Sequence, residues 1–230
     1  MITAKLVFDV REALKEYSDD GELSDSYILY LYDIKRSKYL RQDINNSQRS
    51  IDISVVQSLC LELEEVNSNE CNIDLGCETI IRTKRAIPTP LQLHTKSALT
   101  RVAPADRVSR PFNLINRDKA VYASGAPFPN AVYAFLHNDG RVYLKSEGSA
   151  LKLLECINVS GVFENPLDLI NYKNCCSCDD STTSNTCFDI ETTDYPIQPH
   201  YIDLIKNEIV MELAKLKVIK EDKTNDSVDE

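Results

Sequence analysis

The apolar residues of this chain change their spacing twice, and that change limits what the chain can fold into. From Thr3 to Tyr17, Leu6, Val10, Leu14 and Tyr17 recur at helical intervals. From Ser54 the period drops to two, as in Leu59-Cys60-Leu61-Glu62-Leu63, which is the signature of a half-buried strand. From His200 to Lys217 it lengthens again, with Ile202, Ile205, Ile209, Leu213 and Leu216 on one stripe. Helical patterns at both ends and strand patterns between them argue for an α+β fold. We expect an N-terminal αα-hairpin and a C-terminal helix packed as one helical layer, with an inserted antiparallel β-sandwich or small barrel. The expected divisions are a helical hairpin over 1–53, a β-domain over 54–170, a Cys-rich loop and extended linker over 171–198, a helix over 199–219 and a charged tail over 220–230.

Local signals refine this outline. Thr3 is placed to cap the first helix, and Ser18-Asp19-Asp20-Gly21 is a stop. Ser24 or Asp25 opens the second helix, expected to continue to about Ser50. Tyr27 to Tyr32 is apolar all round, so that turn should be covered on more than one face. Beyond it the same helix becomes basic, with Lys35, Arg36, Lys38 and Arg41. These cations read either as a solvated face or as a docking patch for an acidic partner or a phosphate backbone. The tyrosines Tyr27, Tyr30, Tyr32 and Tyr39 read either as helix packing or as an interface. Ala131 to Ser146 predicts a β-hairpin turning at Asn138-Asp139-Gly140. Lys152 to Phe163 predicts a further strand or strand pair with a bulge at Gly161, and Pro199 suits the first position of the last helix.

The net charge is −10, from 26 basic and 36 acidic residues. That argues against a general polyanion binder, which needs clustered cations, and leaves room for a small basic patch. Met1–Val10 lacks a signal-peptide pattern and no apolar run approaches the roughly 20 residues that span a bilayer, so a cytoplasmic protein is expected. In that setting the eight cysteines should be thiols. Cys175, Cys176, Cys178 and Cys187 could supply four zinc ligands, but the first three run C-C-x-C and lack the usual Cys-x-x-Cys pair. A zinc-dependent regulatory or nucleic-acid-binding module is therefore the alternative reading. His94, His137 and His200 are scattered, and no nucleophile elbow, phosphate loop or His-Glu-x-x-His pattern occurs. No enzymatic activity and no cofactor are expected.

Three stretches add a resemblance. DVREALKEYSDDGELSDSYILYLYDIKRSKYLRQD, YKNCCSCDD and TTDYPIQPHYIDLIKNEIVMELAKLKVIKEDKTNDS resemble a neck protein of crAss-like bacteriophages. The resemblance implies a virion head-to-tail connector of short-tailed phages. It further implies a homo-oligomeric ring of about twelve-fold symmetry, stacked beneath the portal protein and beside adjacent neck or tail rings. Double-stranded DNA would pass through its lumen without sequence-specific binding. On this reading Lys35, Arg36, Lys38 and Arg41 are candidate assembly contacts, and the tail with Lys220 and Asp222 orders on binding.

Overall fold

The computed structural model describes residues 2–15, 23–46, 51–67, 79–94, 97–105, 110–120, 122, 131–146, 151, 153–172 and 193–218. The chain divides into two compact units, Met1–Asp43 with Phe188–Glu230, and Ile44–Cys187. The first unit thus contains both chain ends.

Unit 1 is helical. α1 (Thr3–Lys15) buries Leu6, Val7, Val10 and Leu14 on one stripe, as its spacing predicts. α2 (Asp25–Asn46) opens where Ser24 caps it, the Ser24 hydroxyl accepting from the Tyr27 amide at 3.3 Å. α4 (Pro199–Val218) starts on Pro199 and buries Ile205, Ile209 and Leu213. α1 packs on α4, and α2 meets α4 through ion pairs and a ring stack, so the three form the expected helical layer. Two expectations fail. The Thr3 hydroxyl does not cap α1; it donates to the carbonyl of Thr193 at 2.8 Å, beside a bridge between Ile2 and Asp194. Tyr27 and Tyr30 are exposed, so the first turns of α2 are covered on one side and not all round.

Unit 2 is a seven-stranded sheet in the order β3-β7-β1-β2-β6-β5-β4. The strands are β1 (Gln57–Asn67), β2 (Thr79–Thr83), β3 (Leu99–Pro104), β4 (Asn113–Leu114), β5 (Tyr133–Leu136), β6 (Val142–Lys145) and β7 (Cys156–Gly161). All pairings are antiparallel except β4 with β5, which is parallel. The two edges approach each other: the Phe112 amide donates to Val102 at 2.7 Å, so the sheet curls into a nearly closed barrel. Alternation puts Leu59, Leu61, Leu63, Val142, Leu144, Ile157 and Val159 in one core. β6 is buried on both faces, because Tyr143 packs under Phe135 and the Lys145 ammonium donates to Ala120 O of the short helix α3 (Arg117–Ala120) at 3.1 Å.

Gly161 has a different role from the one its spacing suggests. The bulge lies on the partner strand, where the register slips between Leu99 and Arg101 opposite Gly161 and Ser160. The crowded backbone there leaves no room for a side chain, since a Cβ on Gly161 would stand 2.8 Å from the Ala98 carbonyl. In the β5–β6 hairpin, Gly140 takes the positive φ of 74° that the Asn-Asp-Gly turn requires. Cys60 is disulfide-bonded, which corrects the expectation that every cysteine is a thiol.

Gly161→Val should force β3 and β7 apart at the bulge and lower stability by about 1–3 kcal/mol, read as a reduced urea midpoint with unchanged slope. A midpoint unmoved by this substitution would contradict the close approach.

Candidate assembly surface of the helical unit

The basic half of α2 is where sequence reasoning places the site, and the structure assigns each cation a position. Lys35 pairs with Glu212 at 2.7 Å and with Glu208 at 3.3 Å, both on α4. Lys38 pairs with Glu208 at 2.8 Å and stands over the Tyr39 ring. Tyr39 stacks on Tyr201 at 5.4 Å. These contacts run α2 and α4 antiparallel, low numbers on one against high numbers on the other. Hydrogen bonding from Lys38, then from Lys35, holds the Glu208 carboxyl below its ordinary value against the opposing effect of burial. The hydrogen bond to Glu212 leads the causes that raise Lys35.

Arg36 is not a surface cation. It has 0% exposure, its Nε donates to the Pro196 carbonyl at 2.7 Å, and its guanidinium lies 5.9 Å from the Tyr195 ring. Burial pushes its pKa down, while Tyr195 and Asp33 oppose that shift. Tyr195 donates its hydroxyl to Asp33 and meets Tyr32 edge-on at 6.1 Å. Burial is also the leading cause that raises the Tyr195 and Tyr32 hydroxyls. Asp33, Arg36, Tyr195 and Pro196 thus form a clasp between α2 and the extended segment that leads into α4. Arg41 is half-buried on α2. Lys220, Asp222 and the cysteines Cys175, Cys176, Cys178 and Cys187 lie outside the described residues.

The four tyrosines of α2 divide by position. Tyr32 and Tyr39 pack inside the unit, whereas Tyr27 and Tyr30 stack on each other at 6.5 Å and remain exposed with Ile34. On α4, Leu204 and Met211 are exposed, and on α1 Phe8 is. Sequence reasoning missed the clasp partners and these outward apolar residues. Phe8, two residues after Leu6 and two before Val10, was the available signal, because it interrupts the stripe rather than extending it.

Unit 2 contains a recess of about 660 Å³ lined by Leu91, Leu99, Leu136, Asn116, Arg117 and His137 among others. Its titratable groups are Arg117 and His137. Burial and then Arg117 lower the His137 pKa, with Asp139 opposing. Thr89 and Ser97 add hydroxyls to the imidazole and guanidinium, and no carboxylate is in the lining to complete a nucleophile–base–orienter set. Among the described residues no group of three His, Cys, Asp or Glu is placed to hold a metal, and no helix is long and apolar enough to cross a membrane.

Comparison with known proteins gives two findings. The family model described as phage tail ring protein 2 matches residues 5–230. Ring protein 2 of Bacteroides phage crAss001 is 25% identical over 229 residues, covering 98% of this chain and 96% of that protein.

Two outcomes are expected from the geometry. Tyr195→Phe should cost about 1–3 kcal/mol by removing a charge-assisted hydrogen bond, whereas Tyr32→Phe, whose hydroxyl has no hydrogen-bond partner among the described residues, should change stability by less than about 0.5 kcal/mol, both read from urea unfolding. Because the folded pKa of Glu208 is depressed below 4.5, its contribution is present above that value and is lost as pH falls through the folded pKa. Thermal melts from neutral pH down to about pH 3 should therefore fall less steeply in Glu208→Gln than in the wild type; parallel slopes would remove Glu208 from the account.

Proposed function

The chain belongs to the phage tail ring protein 2 family, and from that premise we propose that its copies close into a homo-oligomeric ring at the neck, joining portal to tail. The family match over residues 5–230 carries this reading. The family's description as a phage tail ring protein, with the crAss001 relative named ring protein 2, supports a virion structural ring protein. The finer points are the proposal: about twelve copies per ring, contacts with the portal and with adjacent ring proteins, assembly in the host cytoplasm, and passage of the genome through the lumen during ejection.

Charge supports the channel. Twelve copies of a chain with net charge −10 would carry about −120 (twelve times −10). Such a lumen repels DNA within a Debye length of roughly 10 Å, so a polyanion slides through without sticking. Lys38 and Arg41 are the cations of α2 proposed for contacts with a neighbouring copy or the portal, together with Lys220 and Asp222 in the tail. Lys35 and Arg36 belong to the packing of the unit itself, and Lys38 also pairs with Glu208 while staying half-exposed.

Native mass spectrometry of the purified chain, with electron microscopy of intact particles, tests the reading. One closed multiple of the 26.0 kDa chain and a matching ring at the neck are expected. A chain that remains monomeric and leaves no multi-copy ring in the particle would overturn it.

A further inference from the structure

The helical unit carries apolar side chains on two outer surfaces. One is on α1. Leu6, Val10 and Leu14 point inward, and Phe8 points the other way, 59% exposed, with Lys5, Glu12 and Lys15 on the same face.

The other surface is shared by α2 and α4. Tyr27, Tyr30 and Ile34 recur at spacings of three and four residues and are all exposed, Tyr30 at 58%. Lys35 is bonded to Glu212 across the antiparallel seam. In an antiparallel pair, the residue before each member of such a contact is rotated back by about 100° and falls on the same side of the seam. Ile34 precedes Lys35 and Met211 precedes Glu212, so Ile34 and Met211, the latter 64% exposed, flank the seam on one side. Leu204 is two turns before Met211 on the same stripe.

The two surfaces face away from each other. Arg11 of α1 pairs with Asp25 at 2.6 Å. Asp25 and Ile34 are nine residues apart, about two and a half turns, and so stand on opposite sides of α2. α1 therefore lies behind α2 as seen from Tyr30 and Ile34.

We propose that these surfaces are partners in neighbouring copies: Phe8 of one chain seats on the α2–α4 seam of the next, among Tyr30, Ile34 and Met211. One pair of charges agrees: Lys5 lies beside Phe8 and the largely exposed Asp203 beside Leu204, whereas Lys15 is paired with Glu12 and Glu212 with Lys35. Exposed tyrosine rings also attract cations. The contact joins two different surfaces, so every added copy leaves one of each open until rotation closes a ring. This inference rests on the ring-forming reading above and specifies its subunit contact.

The test uses the full chain with Phe8→Asp and Met211→Asp, each at an exposed position, and circular dichroism melts to verify folding. Native mass spectrometry should show each variant alone associating at least about tenfold more weakly than the wild type. Mixed one to one, the two variants should form heterodimers, because each supplies the surface that the other lacks. Should the aspartate at position 8 prevent folding, Phe8→Ala takes its place. Folded variants that still form wild-type oligomers, or that fail to pair when mixed, overturn the contact and leave the ring reading standing. A wild-type chain that never oligomerises and leaves no multi-copy ring in the particle overturns the ring reading itself.

Discussion

A guanidinium with no exposed surface is the constraint that unit 1 depends on. Removing a charge from water costs several kcal/mol unless its donors are met. The Arg36 Nε donates to the Pro196 carbonyl and the guanidinium lies beside the Tyr195 ring, and Tyr195 is held in turn by Asp33, one turn earlier on α2. The segment that supplies Tyr195 and Pro196 arrives from far along the chain. Its placement fixes where α4 begins, and α4 supplies Glu208 and Glu212 to Lys35 and Lys38 of α2. A second tie, Thr3 to Thr193, fastens the same segment to α1. A large insertion between the helices is tolerated because both ends of unit 1 are clasped by contacts independent of it.

Unit 2 meets a different requirement, the satisfaction of sheet edges. β1 is long enough to pair with β7 along its first half and with β2 along its second, and so joins two sets of strands into one sheet. The bulge in β3 lets that strand bend over Gly161, and the Phe112–Val102 hydrogen bond brings the edges together. An edge that is paired offers less template for unwanted strand addition.

The periodic elements were legible before the structure. Leu6, Val10 and Leu14 on α1, the alternation of Leu59, Leu61 and Leu63, the Asn-Asp-Gly hairpin and Pro199 each signal their element through a short-range rule. The site was legible only in position. The basic half of α2 was found, yet four neighbouring cations cannot be sorted by spacing into those that salt-bridge, such as Lys35, and one that is buried, such as Arg36. Sorting them needs partners that lie more than 150 residues away along the chain.

The sequence by itself determined the α+β class, the order of helices and strands, the family and the acidic charge, because these depend on local periodicity, on composition and on motif identity. The tertiary structure alone decided which tyrosines face outward, why Gly161 must be glycine, that Arg36 is buried in a clasp, and that Phe8 and Met211 are exposed. Each of these depends on which distant residue arrives at a given surface. Burial, charge neutralisation and close backbone approach are properties of that meeting, and neither partner carries them alone.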